Sequence, residues 1–279
     1  MAEPTETPGC NNPDSGVNTS ENGSCKPEVK FCGLSHLSDI EAVNSILPEY
    51  VGFVFWPKSK RYVDAESAAL LRTALDPGIK TVGVFVDAGM DEIAELYRAG
   101  IISVAQLHGS ETDEYIADLK AEAGGIPDCR PLEIWKAFEI EDEADILQAN
   151  ASTADLVLLD GGKGEGRTFP WKLVSMIDRP YALAGGLTPD NVGEALQNRS
   201  LLRHAPSIVD VSSAIEAKSL EPETDNEDSP ITDRIADPEP GSASAPELPH
   251  GSSDASRRPR SPHKSPELMR KFAEAVRHP

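Results

Sequence analysis

Five short runs of this chain interleave an apolar parity with a parity of reactive side chains. They are VKFCG at 29–33, VAQLHG at 104–109, EIWKAF at 133–138, DLVLLDG at 155–161 and IVDVSS at 208–213. Period-two alternation marks a strand, whose successive side chains point to opposite faces. One face reads Val29, Phe31, Ala105, Leu107, Trp135, Ala137, Val157, Leu159, Val209 and Val211. The other reads Lys30, Cys32, Gln106, His108, Lys136, Asp160, Asp210 and Ser212. Helices packed on the first face would gather the second set into one interior. Such a concentration of polar groups costs stability unless function needs it.

Strand-like and helix-like runs alternate eight times along the chain, the pattern of βα units on a parallel sheet. Strands are expected near 29–34, 50–55, 81–86, 102–107, 132–138, 155–159, 181–184 and 208–211. The first helix is expected to open on a capping box, Ser38-Asp39-Ile40-Glu41, and to bury Ile40, Val43 and Leu47. Further helices are expected near 64–75, 91–99, 112–123 and 142–150, and another after Phe169. Thr188-Pro189 and Ser265-Pro266 share one grammar, a cap residue followed by proline at the first helical position. The last helix then carries Leu268, Phe272 and Val276 on one stripe. Eight such units suit a closed, parallel, eight-stranded (β/α)8 barrel better than an open doubly wound sheet. In that α/β fold, active sites lie at the C-terminal ends of the strands. Cys32, His108 and Asp160 close their strands. Gly185-Gly186 follows strand seven and Ser212-Ser213 follows strand eight, where a phosphate can meet backbone N–H groups and hydroxyls.

Composition removes two stretches from the folded body. Residues 1–27 and 219–262 contain no aromatic residue, and the second holds 8 Pro, 8 Ser and 10 acids against 4 bases. Neither has the apolar surface to offset ordering entropy, so a disordered N-terminal tail and a long acidic insert between strand eight and helix eight are expected. The domain reading is a tail at 1–27 and a barrel at 28–279 interrupted by the insert. A tolerated surface insertion, a mobile lid and a partner tether all remain open for that insert. The net charge of −21 argues against nucleic-acid and anionic-membrane partners. No apolar segment reaches membrane-spanning length and no signal-peptide pattern opens the chain, so a cytoplasmic protein is expected. Cysteines at 10, 25, 32 and 129 form no C-x-x-C pair, which disfavours a disulfide framework or a zinc site.

KFCGL at 30–34, GFVFWPKSKRYV at 52–63, GVFV at 83–86 and QLHG at 106–109 follow one another in order. So do LDGGKGEGRTFPW at 159–171, LAGGLTPDNV at 183–192 and VDVSSAIE at 209–216. Together they resemble the phosphoribosylanthranilate isomerase family of tryptophan biosynthesis, over roughly 29–218 and 263–277. The resemblance implies an Amadori rearrangement. N-(5-phosphoribosyl)anthranilate, an aminoaldose, becomes the aminoketose 1-(2-carboxyphenylamino)-1-deoxyribulose 5-phosphate. No metal and no organic cofactor is implied, and the partner is the phosphorylated sugar-anthranilate itself, bound by a monomer or a homodimer.

By the same resemblance Cys32 is the general base and Asp160 the general acid. Arg61 would hold the anthranilate carboxylate, and Gly185, Gly186, Ser212 and Ser213 the phosphate. His108 and Asp210 are substrate-binding candidates from their strand-end positions. The chemistry agrees: ring opening needs a proton on the furanose oxygen, and the iminium must lose one from C2. Lys30, two residues before Cys32, is expected to favour its thiolate.

Each candidate also admits a structural role. Cys32 could be a small buried apolar group, Asp160 a turn cap and His108 a satisfied strand-end histidine. Asp210 could pair with Lys30 or Lys136, and Arg61 could belong to a solvated loop. Two departures from the family pattern stand out: FPW at 169–171 in place of FDW, and Ala214 where glycine is usual. Were a positive φ required at Ala214, it would cost roughly 1 kcal/mol. Related sugar-phosphate barrels, such as an indole-glycerol-phosphate synthase or an aminoaldose isomerase of histidine synthesis, use a lysine or two aspartates. The Cys32 and Asp160 arrangement argues against both, and retention of the chemical groups argues against a non-catalytic barrel acting through its tails.

Overall fold

The computed structural model describes residues 26–124, 131–162, 171–197, 205–217 and 261–279. The expectations for the tail, for most of the insert, for Phe169 and Pro170 of FPW and for Cys10, Cys25 and Cys129 lie outside those residues.

Eight parallel strands close into a barrel in sequence order: β1 (Glu28–Cys32), β2 (Tyr50–Val54), β3 (Lys80–Phe85), β4 (Val104–Leu107), β5 (Glu133–Glu139), β6 (Leu156–Asp160), β7 (Tyr181–Ala184) and β8 (Ile208–Val211). The ring is completed by β8 on β1, with Lys30 beside Asp210 and Phe31 beside Val211. Helices α1 (Leu37–Ile46), α2 (Ala65–Ala74), α3 (Met90–Arg98), α4 (Asp113–Ala123), α5 (Glu143–Ala151), α6 (Trp171–Val174) and α7 (Val192–Gln197) follow the first seven strands. A 3-10 turn (Ser213–Ile215) follows β8, and α8 (Pro266–Arg277) comes last.

The strand alternation divides the core into two layers. Outward residues such as Phe31, Val51, Leu107, Val157, Leu183 and Val209 join the helices' apolar stripes in one continuous core. Inward residues Tyr50, Val82, Val104, Trp135, Leu156, Leu158, Ala182 and Ile208 fill the lower barrel. This apolar plug separates the polar groups toward the C-terminal mouth from Glu28, Lys80 and Glu133, which begin their strands at the opposite end.

One assignment of parity is corrected. Trp135 and Ala137 point into the barrel, and Lys136 points out among the helices. There Lys136 is buried and its Nζ donates to the Gly109 carbonyl (2.6 Å) and to Glu111 (3.0 Å). Tryptophan is tolerated inside because its indole N–H reaches Glu133 at 2.7 Å and its ring meets Tyr50 edge-on at 5.1 Å. The side of an alternating run follows from its register with neighbours, and a buried lysine satisfied by a loop imitates a functional one.

The start of α1 also differs. Its cap is His36, and Asp39 rather than Glu41 reaches back, accepting from the Ser35 and His36 N–H groups at 3.0 and 3.2 Å. Leu47, expected on the buried stripe, is 53% exposed, and Ile46 is buried in its place. At Leu47 the chain has left the helix for the left-handed region (φ 53°), which swings the side chain outward. The last helix keeps its expected grammar, with Ser265 capping the Leu268 N–H and Pro266 in the first turn. Phe272 of α8 meets Phe31 of β1 edge-on at 6.3 Å, and Met269, Ala273 and Val276 are buried beside it. Burial of four apolar side chains, at about 1.5–3 kcal/mol for each large one, docks the last helix across β1.

Candidate active site

Cys32 ends β1 and shares its parity with Lys30, while Asp160 ends β6 and shares its parity with the inward Leu156 and Leu158. Both therefore project into the barrel at its C-terminal mouth, from separate walls. His108 follows β4, Gly185-Gly186 follow β7 and Ser212-Ser213 follow β8, so every candidate expected at a strand end lies at that same mouth. Asp210 lies deeper, in β8.

The Cys32 wall is built by close approach. Cys32 pairs with Gly52 of β2, and a Cβ at Gly52 would come within 2.8 Å of the thiol sulfur. Absence of a side chain there makes the space the thiol fills. Val54, Val84 and Trp56 complete an apolar lining around it. Beneath, Lys30 is fully buried and its Nζ lies 2.7 Å from Asp210 Oδ2. The pairing expected for Asp210 is thus with Lys30. Burial alone would lower the Lys30 ammonium, but Asp210 and Cys32 reverse this and hold it above its ordinary value. Burial pushes the Cys32 thiol up; Lys30 and Lys264 oppose that rise and Asp210 adds to it.

Gly33, at φ +76°, turns the chain out of β1. A Cβ there would run into the Arg61 side chain and lie 3.2 Å from Ser212 Oγ, so Arg61 and Ser212 close over the end of β1 beside Cys32. Ser212 Oγ donates to the Cys32 carbonyl at 3.0 Å. Ser213 is exposed at the start of the 3-10 turn. Ala214 sits within that turn with negative φ, so no strain attaches to the missing glycine.

The Asp160 wall is more open. Asp160 Oδ1 accepts from the Gly162 N–H at 3.0 Å, and Oδ2 lies 3.6 Å from His108 Nε2. Turn capping and a place in the site thus coexist in one carboxylate. Gln106 Nε2 lies 3.4 Å from His108 Nδ1, steering the imidazole from below. Gly185, at φ +84°, passes so close to Asp160 that a Cβ would collide with its carboxylate. Gly186, at φ +67°, has open space where its Cβ would stand.

Two residues escaped the sequence reading. Glu216 Oε1 accepts from Arg61 Nε at 2.5 Å, and Oε2 accepts from Lys60 at 3.0 Å. Lys264, buried, lies 3.5 Å from Glu216 and donates to the Ser212 carbonyl at 3.0 Å. Burial opposes the Glu216 charge, but Lys264, Arg61 and Lys60 outweigh it and hold its carboxyl below the ordinary value. Glu216 stood inside a quoted motif without a partner to suggest its role. Lys264 had one local signal, its place directly before the Ser265-Pro266 cap, which ties it to the start of α8.

His36, Asp39 and His263 bring one potential ligand atom each within 4.8 Å of one another. Their arrangement suits packing better than metal ligation. The two imidazoles stack face to face at 3.7 Å, so their in-plane lone pairs run side by side. Both Asp39 oxygens already accept backbone N–H groups, from Ser35 and His36 on one and from Lys264 (2.9 Å) on the other.

A family model of N-(5'-phosphoribosyl)anthranilate isomerase matches residues 29–220. The chain belongs to the N-(5'-phosphoribosyl)anthranilate isomerase family. A relative with that name from Lacticaseibacillus casei is 43% identical over 188 residues, covering 67% of this chain and 85% of its own. One from Thermoanaerobacter pseudethanolicus is 37% identical over 198 residues, covering 68% and 90%. Among solved structures, the phosphoribosylanthranilate isomerase of Thermotoga maritima aligns with TM-score 0.64 at 26% identity, over 90% of this chain and 98% of its own. Another isomerase structure, at TM-score 0.62 and 25% identity over 90% and 98%, holds reduced 1-(o-carboxyphenylamino)-1-deoxyribulose 5-phosphate. The chain is accordingly an isomerase of tryptophan biosynthesis, acting on N-(5'-phosphoribosyl)anthranilate. Among the described residues, no helix is long and apolar enough to cross a membrane.

Proposed function

We propose that Cys32 and Asp160 divide the two proton transfers of the phosphoribosylanthranilate isomerase rearrangement in this chain. Asp160 delivers a proton to the furanose ring oxygen, the C1–O bond breaks, and the aniline nitrogen supplies the electrons that make the iminium. Cys32 as thiolate then removes the C2 proton, giving an enolamine that tautomerises to the aminoketose. Atoms balance without a redox partner, since hydrogen lost from C2 is matched by one gained at C1.

The observation that carries this reading is the shared inward direction of Cys32 and Asp160 at the ends of β1 and β6. The apolar lining of Val54, Val84 and Trp56 suits the anthranilate ring. Arg61 faces its carboxylate: a guanidinium has five N–H donors, so one bond to Glu216 leaves capacity for a bidentate partner. Gly185, Gly186, Ser212 and Ser213 receive the phosphate. His108 supports Asp160 and the sugar, and Asp210 orients Lys30 under the thiol. The compound held by the solved relative has the carboxyl, sugar and phosphate groups that these three regions address.

The chain is proposed to work in the cytoplasm as a monomer or homodimer, the Thermotoga maritima relative being described as dimeric. A cell lacking this isomerase tests the assignment. Growth without tryptophan should be restored by the full chain and lost with Cys32→Ala or Asp160→Asn. Failure of the wild type, or rescue by Cys32→Ala at full growth rate, would refute it.

A further inference from the structure

The described residues that flank 218–260 come together beside Arg61 and Ser212. On one side stands Glu216 and on the other Lys264, paired as an antiparallel bridge. The Ala217 N–H donates to the His263 carbonyl at 2.9 Å, and the Ser265 N–H donates to the Ile215 carbonyl at 2.8 Å. This short ladder fixes the register of Lys264 against the turn after β8. Its side chain is fully buried, although a buried ammonium is expensive unless its partners are well arranged. An apolar residue would close that space at less cost, so the charge calls for a reason.

The contacts of Lys264 all lead toward the site. Its Nζ donates to the Ser212 carbonyl, and the hydroxyl of that same serine donates to the Cys32 carbonyl, each at 3.0 Å. Its ammonium lies 3.5 Å from the Glu216 oxygen that also accepts from Arg61. Its backbone N–H donates to Asp39, whose other oxygen holds the Ser35 and His36 N–H groups just beyond Gly33. One residue thus grips the chain after β8, the chain after β1 and the acid that carries Arg61.

We infer that Lys264 is a positioning residue of this active site: it fixes Ser212 and the Glu216–Arg61 pair around the end of β1 and presents a positive charge toward the Cys32 thiol. This rests on Cys32 acting as the base. Burial, and to a lesser degree Arg61, lower the Lys264 ammonium to about 8, while Glu216, Cys32 and Asp39 hold it up. At neutral pH it is mostly charged. The titratable groups that act on it are Glu216, Arg61, Cys32 and Asp39, while Lys30 and Asp210 act on the thiol.

The test uses the full chain with Lys264→Gln, which keeps a donor for Ser212 and removes the charge, and Lys264→Arg, which keeps the charge. Cys32 is titrated by ultraviolet thiolate absorbance, taking the difference from Cys32→Ala so that Cys10, Cys25 and Cys129 cancel. The glutamine variant should form its Cys32 thiolate at higher pH than wild type, and the arginine variant should not. Its kcat/KM at neutral pH should fall by about tenfold, the loss of one charge-assisted contact. A titration unchanged in folded Lys264→Gln overturns the inference.

Should that variant fail to fold, Lys264→Arg carries the test. Guanidinium stays charged above the value near 8 at which the lysine loses its proton, so Cys32 alkylation there should exceed the wild-type rate. Equal rates overturn the inference. Full turnover by Cys32→Ala would instead overturn the catalytic reading, whereas an unmoved titration with Cys32→Ala inactive would overturn the role of Lys264 alone.

Discussion

Lys30 and Asp210 form a buried ion pair, 2.7 Å between Nζ and Oδ2, one layer below the Cys32 thiol. The second oxygen of Asp210 has no hydrogen-bond partner among the described residues. The carboxylate therefore depends on Lys30 for compensation. Lys30→Met should destabilise the protein by about 3–5 kcal/mol in urea unfolding, because it strands a buried negative charge. It should also move the Cys32 titration to higher pH, since Lys30 opposes the rise caused by burial. An unchanged thiol titration would separate the pair from the chemistry. Replacing both partners by apolar residues should recover most of the stability and only part of the thiolate, since Asp210 adds to the rise that Lys30 opposes.

Gly52 makes the thiol's space, which sets up a substitution with opposite expectations for fold and function. Gly52→Ala would place a Cβ 2.8 Å from the Cys32 sulfur and 3.2 Å from its Cα. The sulfur must move, and a misplacement on the order of 1 Å can cost about a hundredfold in kcat. Alanine otherwise suits a strand at least as well as glycine, so cooperative unfolding should persist with a midpoint only modestly lower. Wild-type kcat in Gly52→Ala would show that the thiol has no fixed position to lose.

Gly185 plays the matching part for Asp160. It combines a positive φ with a close approach to the carboxylate and to the Gly161 N–H. Gly185→Ala should lower kcat more than it raises KM, because the acid is displaced while the carboxylate-binding wall is untouched. A rise in KM alone, in steady-state kinetics, would assign the turn to phosphate binding only.

Asp39 contributes to acid stability. Burial works against its charge, but hydrogen bonds from its neighbours outweigh that and hold its pKa below the ordinary 3.8. The folded state therefore binds fewer protons than the unfolded chain around that pH. Its contribution is complete above about pH 3.8 and is lost as pH falls through the lower folded value. Asp39→Asn should cost about 1–3 kcal/mol at neutral pH, since an amide N–H would face backbone donors. Its thermal midpoint should fall less steeply between pH 5 and pH 3 than that of wild type. Parallel acid limbs would show that Asp39 is not the group involved.

How far the sequence discloses this site depends on whether a residue's neighbours are local. The strand-end positions of Cys32, His108, Asp160 and Ser212 are legible because a strand end is a local pattern, and β7 and β8 begin and end where turn residues bracket them. Lys136 misled because alternation fixes that two faces differ without saying which face is inside. Only the register with Leu107 and Val157 decides that. Asp39 lies within the predicted capping box, but the box sits two residues earlier, on His36, against the local preference for Ser38 as a cap. Glu216 and Lys264 were invisible as partners because residues 218–260 separate them in sequence. Their pairing is a property of how the last helix returns across β1.

The central claim is that Cys32 and Asp160 together move the two protons. Steady-state turnover of N-(5'-phosphoribosyl)anthranilate by the purified full chain, followed by loss of substrate fluorescence, tests it most directly against Cys32→Ala and Asp160→Asn. General acid–base groups contribute about 10²–10⁴-fold, so each variant should retain at most about one hundredth of wild-type kcat with a folded far-ultraviolet signature. Wild-type kcat in folded Cys32→Ala or folded Asp160→Asn would contradict the account.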